Sequence, residues 1–187
     1  MIPITARQAN YWKNSITLWK SCTQVDPQNF RARELLALGF LSEDRIDEAL
    51  VEAELSIQLP ENRFAGGTNT VLGCALLMKG QTERAIFHLK RGLEIEPTDY
   101  RALVNLGYAL KDSDITEARR LFEEALEHYP RNIEAMANLA NCEAEEGNFA
   151  GAIELLTTAI KIDPENTQLE ENLRIFREAQ RLSPSLR

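Results

Sequence analysis

Only three cysteines and two histidines occur among the 187 residues. Cys22, Cys74 and Cys142 stand far apart, an odd set without paired spacing, which excludes a disulfide framework and a zinc-finger pattern and leaves the redox compartment open. They read as small core or groove residues. His88 and His128 are single, with no metal-ligand spacing around either. His-Glu-x-x-His, Gly-x-Ser-x-Gly, Gly-x-Gly-x-x-Gly and Walker patterns are missing, and acidic pairs such as Glu123-Glu124 and Glu145-Glu146 are helix neighbours whose side chains diverge. No catalytic residue, metal or cofactor is expected, and the chain reads as a non-enzyme. There is no run of Lys and Arg either. A net charge of −8 and a pI near 4.9 argue against a nucleic-acid partner, which calls for a clustered basic stripe. No apolar stretch approaches the ~20 residues that cross a bilayer, and Met1-Ile-Pro-Ile lacks the basic start and apolar core of a signal peptide. The chain as written is expected to be soluble, without membrane insertion of its own.

What the sequence does contain is a period. Pro27, Pro60, Pro97, Pro130 and Pro164 follow one another at intervals of 33, 37, 33 and 34 residues. The unit Asn132 to Pro164 shows the content of each interval. Met136, Leu139 and Ala140 fall at helical spacing, Gly147-Asn148 interrupts, and Ala152, Ile153, Leu156, Ala159 and Ile160 resume it. Two helices joined by a tight turn follow. One such pair cannot bury both apolar faces, so it needs stacked neighbours.

Leu72-Gly73, Leu106-Gly107 and Leu139-Ala140 recur in the first helix of successive units, and Ala49, Ala85, Ala118 and Ala152 early in the second. Small residues at crossings let backbones approach, and Pro after the second helix stops it. In these residues and in a period of about 34, the sequence resembles the tetratricopeptide repeat (TPR) family. The resemblance implies an all-α fold, a right-handed superhelix of helix-turn-helix pairs. It spans a single domain, residues 1–187: a half-repeat at 5–27, repeats at 28–60, 61–97, 98–130 and 131–164, and a capping helix at 165–183. The 61–97 unit carries about three surplus residues in Pro60 to Asn69. With Gly66-Gly67 disfavouring a helix start, that stretch is expected to be a tolerated surface loop and the hinge of the stack. The turn Asp112-Ser113-Asp114 is expected to be one residue short.

Residues 5–24 read as one amphipathic helix carrying Tyr11, Trp12, Ile16, Leu18 and Trp19, the second helix of a repeat whose first is missing. Either its aromatic residues close the end of the stack or a preceding segment does. The run from Thr5 to Trp19 also resembles the segment that leads from the last membrane helix into the repeats of transmembrane-and-TPR O-mannosyltransferase-like proteins. That would make the chain the extracytoplasmic soluble part of a membrane glycosyltransferase-like protein, so the compartment, cytoplasmic or extracytoplasmic, stays open.

Function is expected on the concave side, lined by the first helix of each pair. Asn105, Asn138 and Asn172 stand just before the Leu of three successive first helices, one repeat apart, so one amide per unit is expected in a common groove. An amide offers donors and an acceptor to the main chain of an extended peptide. Similar asparagine ladders occur in O-linked N-acetylglucosamine transferase repeats. Arg101, Tyr108, Lys111 and Asn141 would add charge and stacking. The basic residues of a chaperone-type carboxylate clamp are not at the matching places. Three classes of function follow: a scaffold binding a protein or peptide ligand, the soluble part of a membrane transferase, and a module that self-associates through its Trp12/Trp19 end.

Overall fold

The computed structural model describes residues 6–59 and 66–182, with side chains described from Ser15 onward. Among these the chain forms ten α-helices and no strand: α1 Ala6–Val25, α2 Phe30–Ser42, α3 Ile46–Ile57, α4 Gly66–Met78, α5 Thr82–Ile95, α6 Tyr100–Leu110, α7 Ile115–His128, α8 Ile133–Glu145, α9 Phe149–Ile162 and α10 Thr167–Leu182. Two compact units divide between Asn105 and Leu106.

Local chemistry fixes the helix ends. Asn29, Asp114, Asn132 and Asn148 each accept a backbone N–H three residues on, from Ala32, Glu117, Ala135 and Gly151, so a donor left orphan by the first turn is satisfied. At the far ends, the N–H groups of Glu96, Tyr129 and Asp163 return to the carbonyls of Gly92, Ala125 and Ala159, and the proline that follows supplies no further donor. Gly80 and Gly147 reverse the chain at φ 71° and 82°. The α2–α3 turn has no glycine, and there Asp44 adopts φ 60°, a conformation Asp tolerates better than most residues. The α6–α7 connection departs from expectation. The turn is not shortened; α6 has 11 residues where α2, α4 and α8 have 13, and Lys111 to Asp114 make the link. The Leu110 carbonyl accepts the N–H groups of both Ser113 (2.9 Å) and Asp114 (2.7 Å), which ends the helix early and leaves Asp114 to cap the next.

In the first unit α1 to α5 pack each against the next, and α2 also packs on α4. Small residues make these approaches possible: Ala49, Ala53 and Ala85 are fully buried, and a Cβ on Gly73 would lie 2.5 Å from Leu89 Cγ. In the second unit Gly107 admits Phe122 in the same way, at 2.7 Å from where a Cβ would stand. Around Ala140, at that register one repeat on, Met136, Ala152, Leu156, Ala159 and Leu169 form the core, with Leu173 and Phe176 of α10 packed against it. Each fully buried leucine contributes about 2 kcal/mol by leaving water.

The start of α4 corrects the sequence expectation. Pro60 to Ala65 lie outside the described residues, but Gly66 to Asn69 are helical, not loop, and every residue from Gly66 to Gly73 is buried. Their partners explain it. The Glu34 carboxylate, 4% exposed, accepts Thr68 Oγ1 at 2.8 Å and Arg31 Nη1 at 2.7 Å. Ser56 Oγ donates to the Phe30 carbonyl and lies 3.4 Å from Thr68 Oγ1. The N–H groups of Gly66 and Gly67, which have no partner within the first turn of the helix, are taken by Glu96 Oε1 at 3.1 and 3.3 Å. A Cβ on Gly67 would stand 2.9 Å from Glu34 Oε1 and one on Gly66 2.9 Å from the Gly92 carbonyl. The glycines serve close approach, and Gly66 to Asn69 belong to a packed helical layer rather than a surface loop.

Candidate functional site

In the second unit α8 presents Asn138, Asn141 and Glu145 along one face, at the spacing that places side chains over successive turns. Opposite them α10 presents Ile175 and Ala179. Between these columns, and closed by Lys111, Phe122, Cys142, Ala144, Phe149 and Phe176, lies a cleft of about 340 Å³. Phe122 is fully buried beneath it and Cys142 is 3% exposed. Burial pushes the Cys142 thiol above its ordinary range, and the Glu145 and Glu146 carboxylates add to this against Arg119, so the group remains a neutral thiol lining. A larger hollow of about 710 Å³ follows α10 alone, along Leu173, Arg174, Arg177 and Arg181. Among the described residues no second element faces it.

The seven residues singled out in the sequence are placed differently from one another. Lys111, Asn138 and Asn141 line the cleft together. Asn138 is half-buried, Asn141 is exposed, and neither amide is hydrogen-bonded to a described residue. Tyr108, 50% exposed, meets Lys111, whose Nζ lies 5.1 Å from the ring centroid and 3.5 Å from Asp112 Oδ1. Asn172 lies on α10 outside the cleft lining, and its amide oxygen accepts Gln168 Nε2 at 3.0 Å. In the first unit Asn105 Nδ2 donates to its own helix, to the Arg101 carbonyl at 2.7 Å. Arg101 forks onto Asp99 with Nε at 3.2 Å and Nη2 at 3.3 Å. Burial alone would lower the Arg101 pKa, but its hydrogen bonds to Asp99 raise it, so the charge is retained and paired.

The apolar half of the cleft was not singled out in the sequence. Ile175 and Ala179 stand one repeat beyond Asn141 and Glu145, so extending the column of amides by one period finds them. Phe149 and Phe176 come from the core edges, which the period alone does not mark.

Two family models, each described as a tetratricopeptide repeat, match residues 67–99 and 109–173, together a little over half of the chain. The chain belongs to the tetratricopeptide repeat family. A curated relative, the tetratricopeptide repeat-containing protein trd-1 of Caenorhabditis elegans, is 26% identical over 174 residues, 86% of this chain and 22% of the relative. The chain thus spans about a fifth of that protein's length. Among solved structures, the APC/C hetero-tetramer Cut9-Hcn1 aligns with a TM-score of 0.83 and 18% identity, covering 94% of this chain and 35% of that one. A thermophilic TPR protein of Thermus thermophilus aligns at 0.72 and 18%, covering 89% and 91%. YrrB, described as a TPR protein with an unusual peptide-binding site, aligns at 0.63 and 21%, covering 87% and 83%. At these identities the likeness establishes the helix-pair repeat fold alone; tetratricopeptide repeats, the family of the matched models, serve in general as protein-interaction scaffolds. No described helix is long and apolar enough to cross a membrane.

Proposed function

We propose that this chain is a non-catalytic scaffold that holds an extended peptide or helix of a partner protein against α8 and α10. The observation that carries the reading is the pair of amides, Asn138 and Asn141, standing on a cleft wall without an intramolecular hydrogen bond to any described residue. Amides that face the cleft are hydrated in the free chain, and a peptide main chain can take water's place because it offers both the donor and the acceptor an amide requires. The cleft volume, about 340 Å³, lies at the small end of the range of ligand-binding clefts. Lys111 and Tyr108 belong to the same proposed surface. Asn172 contributes by exchanging its Gln168 hydrogen bond for one to the ligand, and Arg101 with Asn105 is a separate contact of the first unit.

Replacing Asn138 and Asn141 together by Ala tests this. Partner capture by the intact chain is expected to fall sharply while the helical circular dichroism stays as it was. Undiminished capture refutes the reading. The alternatives, the soluble part of a membrane transferase and self-association, rest on the residue 5–19 run. Trp19 is half-buried there, and the Trp12 side chain lies outside the described residues.

A further inference from the structure

The cleft also specifies what the guest carries, an inference that rests on the peptide-docking reading above. Its two walls differ in kind. On α8 stand the two free amides, three residues apart and so about 4.5 Å along the axis. On α10 stands Ile175, 48% exposed, with Phe176 and Phe149 beside it. An isoleucine left this open beside aromatic rings is apolar surface that an incoming side chain would withdraw from water. Charge at the rim is also one-sided. Lys111 has Asp112 and the Tyr108 ring for company, whereas exposed Glu145 has no ion-pair partner among the described residues. The uncompensated charge of the site is therefore negative.

We infer that the cleft selects, within an extended segment of a partner protein, a bulky aliphatic or aromatic residue adjacent to a Lys or Arg. The apolar side chain enters between Ile175 and Phe149, the amides hold the flanking main chain, and the neighbouring cation meets Glu145.

A phage-displayed library of random dodecapeptides, selected in parallel on the full chain and on its Ile175→Asp, Glu145→Lys and Asn138→Ala/Asn141→Ala variants, tests this. Both single positions are exposed enough for substitution to leave the fold intact, which circular dichroism verifies. Wild-type selections are expected to converge on a bulky apolar residue beside a basic one. A synthetic peptide of that consensus should bind Ile175→Asp roughly tenfold or more weakly, as loss of an apolar anchor does. Selections on Glu145→Lys should exchange the basic neighbour for an acidic one. Peptides that need the amides yet show no apolar or basic preference overturn the inference and leave the docking reading standing. No selected peptides, or peptides indifferent to the amides, overturn both.

Discussion

Replacing Gly67 by Ala sets two opposed effects against each other at one position. Alanine favours a helix over glycine by about 1 kcal/mol, so at an open helical site the substitution stabilises. Here the new methyl would stand 2.9 Å from Glu34 Oε1 and 3.1 Å from both Cδ and Oε2, so the whole carboxylate faces it and rotation brings no relief. The carboxylate cannot simply retreat, because Arg31 and Thr68 hold it at 2.7 and 2.8 Å. Moving it by the half ångström or so that contact distances require weakens a charge-assisted hydrogen bond, about 1.5–3 kcal/mol, and adds crowding of about 1–3 kcal/mol. Set against the helix preference, the net expectation is destabilisation of about 2 kcal/mol, or a drop of about 4–8 °C in melting temperature for a chain of this size. Urea titration followed by far-UV circular dichroism reads it. The decisive arm is a Glu34→Ala background, where the obstructing group is gone and Gly67→Ala should stabilise by about 1 kcal/mol. An equal effect in both backgrounds, or a stable Gly67→Ala single variant, refutes the account of the packed layer.

Other outcomes follow from the same geometry. Gly107→Ala, whose methyl would press on buried Phe122 at 2.7 Å, should lower stability by about 1–2 kcal/mol in thermal unfolding, although Ala140 fills the equivalent place one repeat on. Asp44→Gly should raise stability by about 1 kcal/mol by relieving a left-handed backbone, bringing that turn into line with Gly80 and Gly147. Asn132→Ala should cost about 1 kcal/mol through loss of the Ala135 cap. His88 responds to pH. Burial, with Arg84 assisting and Glu54 opposing, holds its pKa below the usual value while its ring lies 3.1 Å from Asn69 Oδ1. The unfolded chain then binds the proton more readily, so the stability that neutral His88 contributes is complete above about pH 6.5 and declines as pH falls below it. His88→Gln should flatten that part of a stability-against-pH curve.

The helix pairs were legible because a period of prolines and small residues needs no tertiary knowledge to be seen. Asp44 was hidden, since a left-handed turn without glycine has no compositional mark. The start of α4 misled for a clearer reason. Gly-Gly-Thr-Asn-Thr contains only weak helix formers, and a helix buried on every side has no apolar period to announce it. Its structure comes from Glu34, Ser56 and Glu96, all remote in sequence. At the site, asparagines at repeat spacing brought Asn138 to notice, and Asn141 and Lys111 came in as polar neighbours of that ladder. Ile175 stands one period beyond Asn141 and was within reach of the same spacing, whereas Phe149 looks like ordinary core in a list of residues, and only packing shows that it borders open space.

Arrays of this kind ordinarily grow and shrink by duplication or loss of one unit, because any unit presents much the same oily flank to the next. The carboxylate of Glu34 and the hydroxyls of Thr68 and Ser56 make the α2–α4 contact an exception. A unit inserted there would need to bring its own matching acid and hydroxyl, so this seam resists shuffling and fixes which unit follows which.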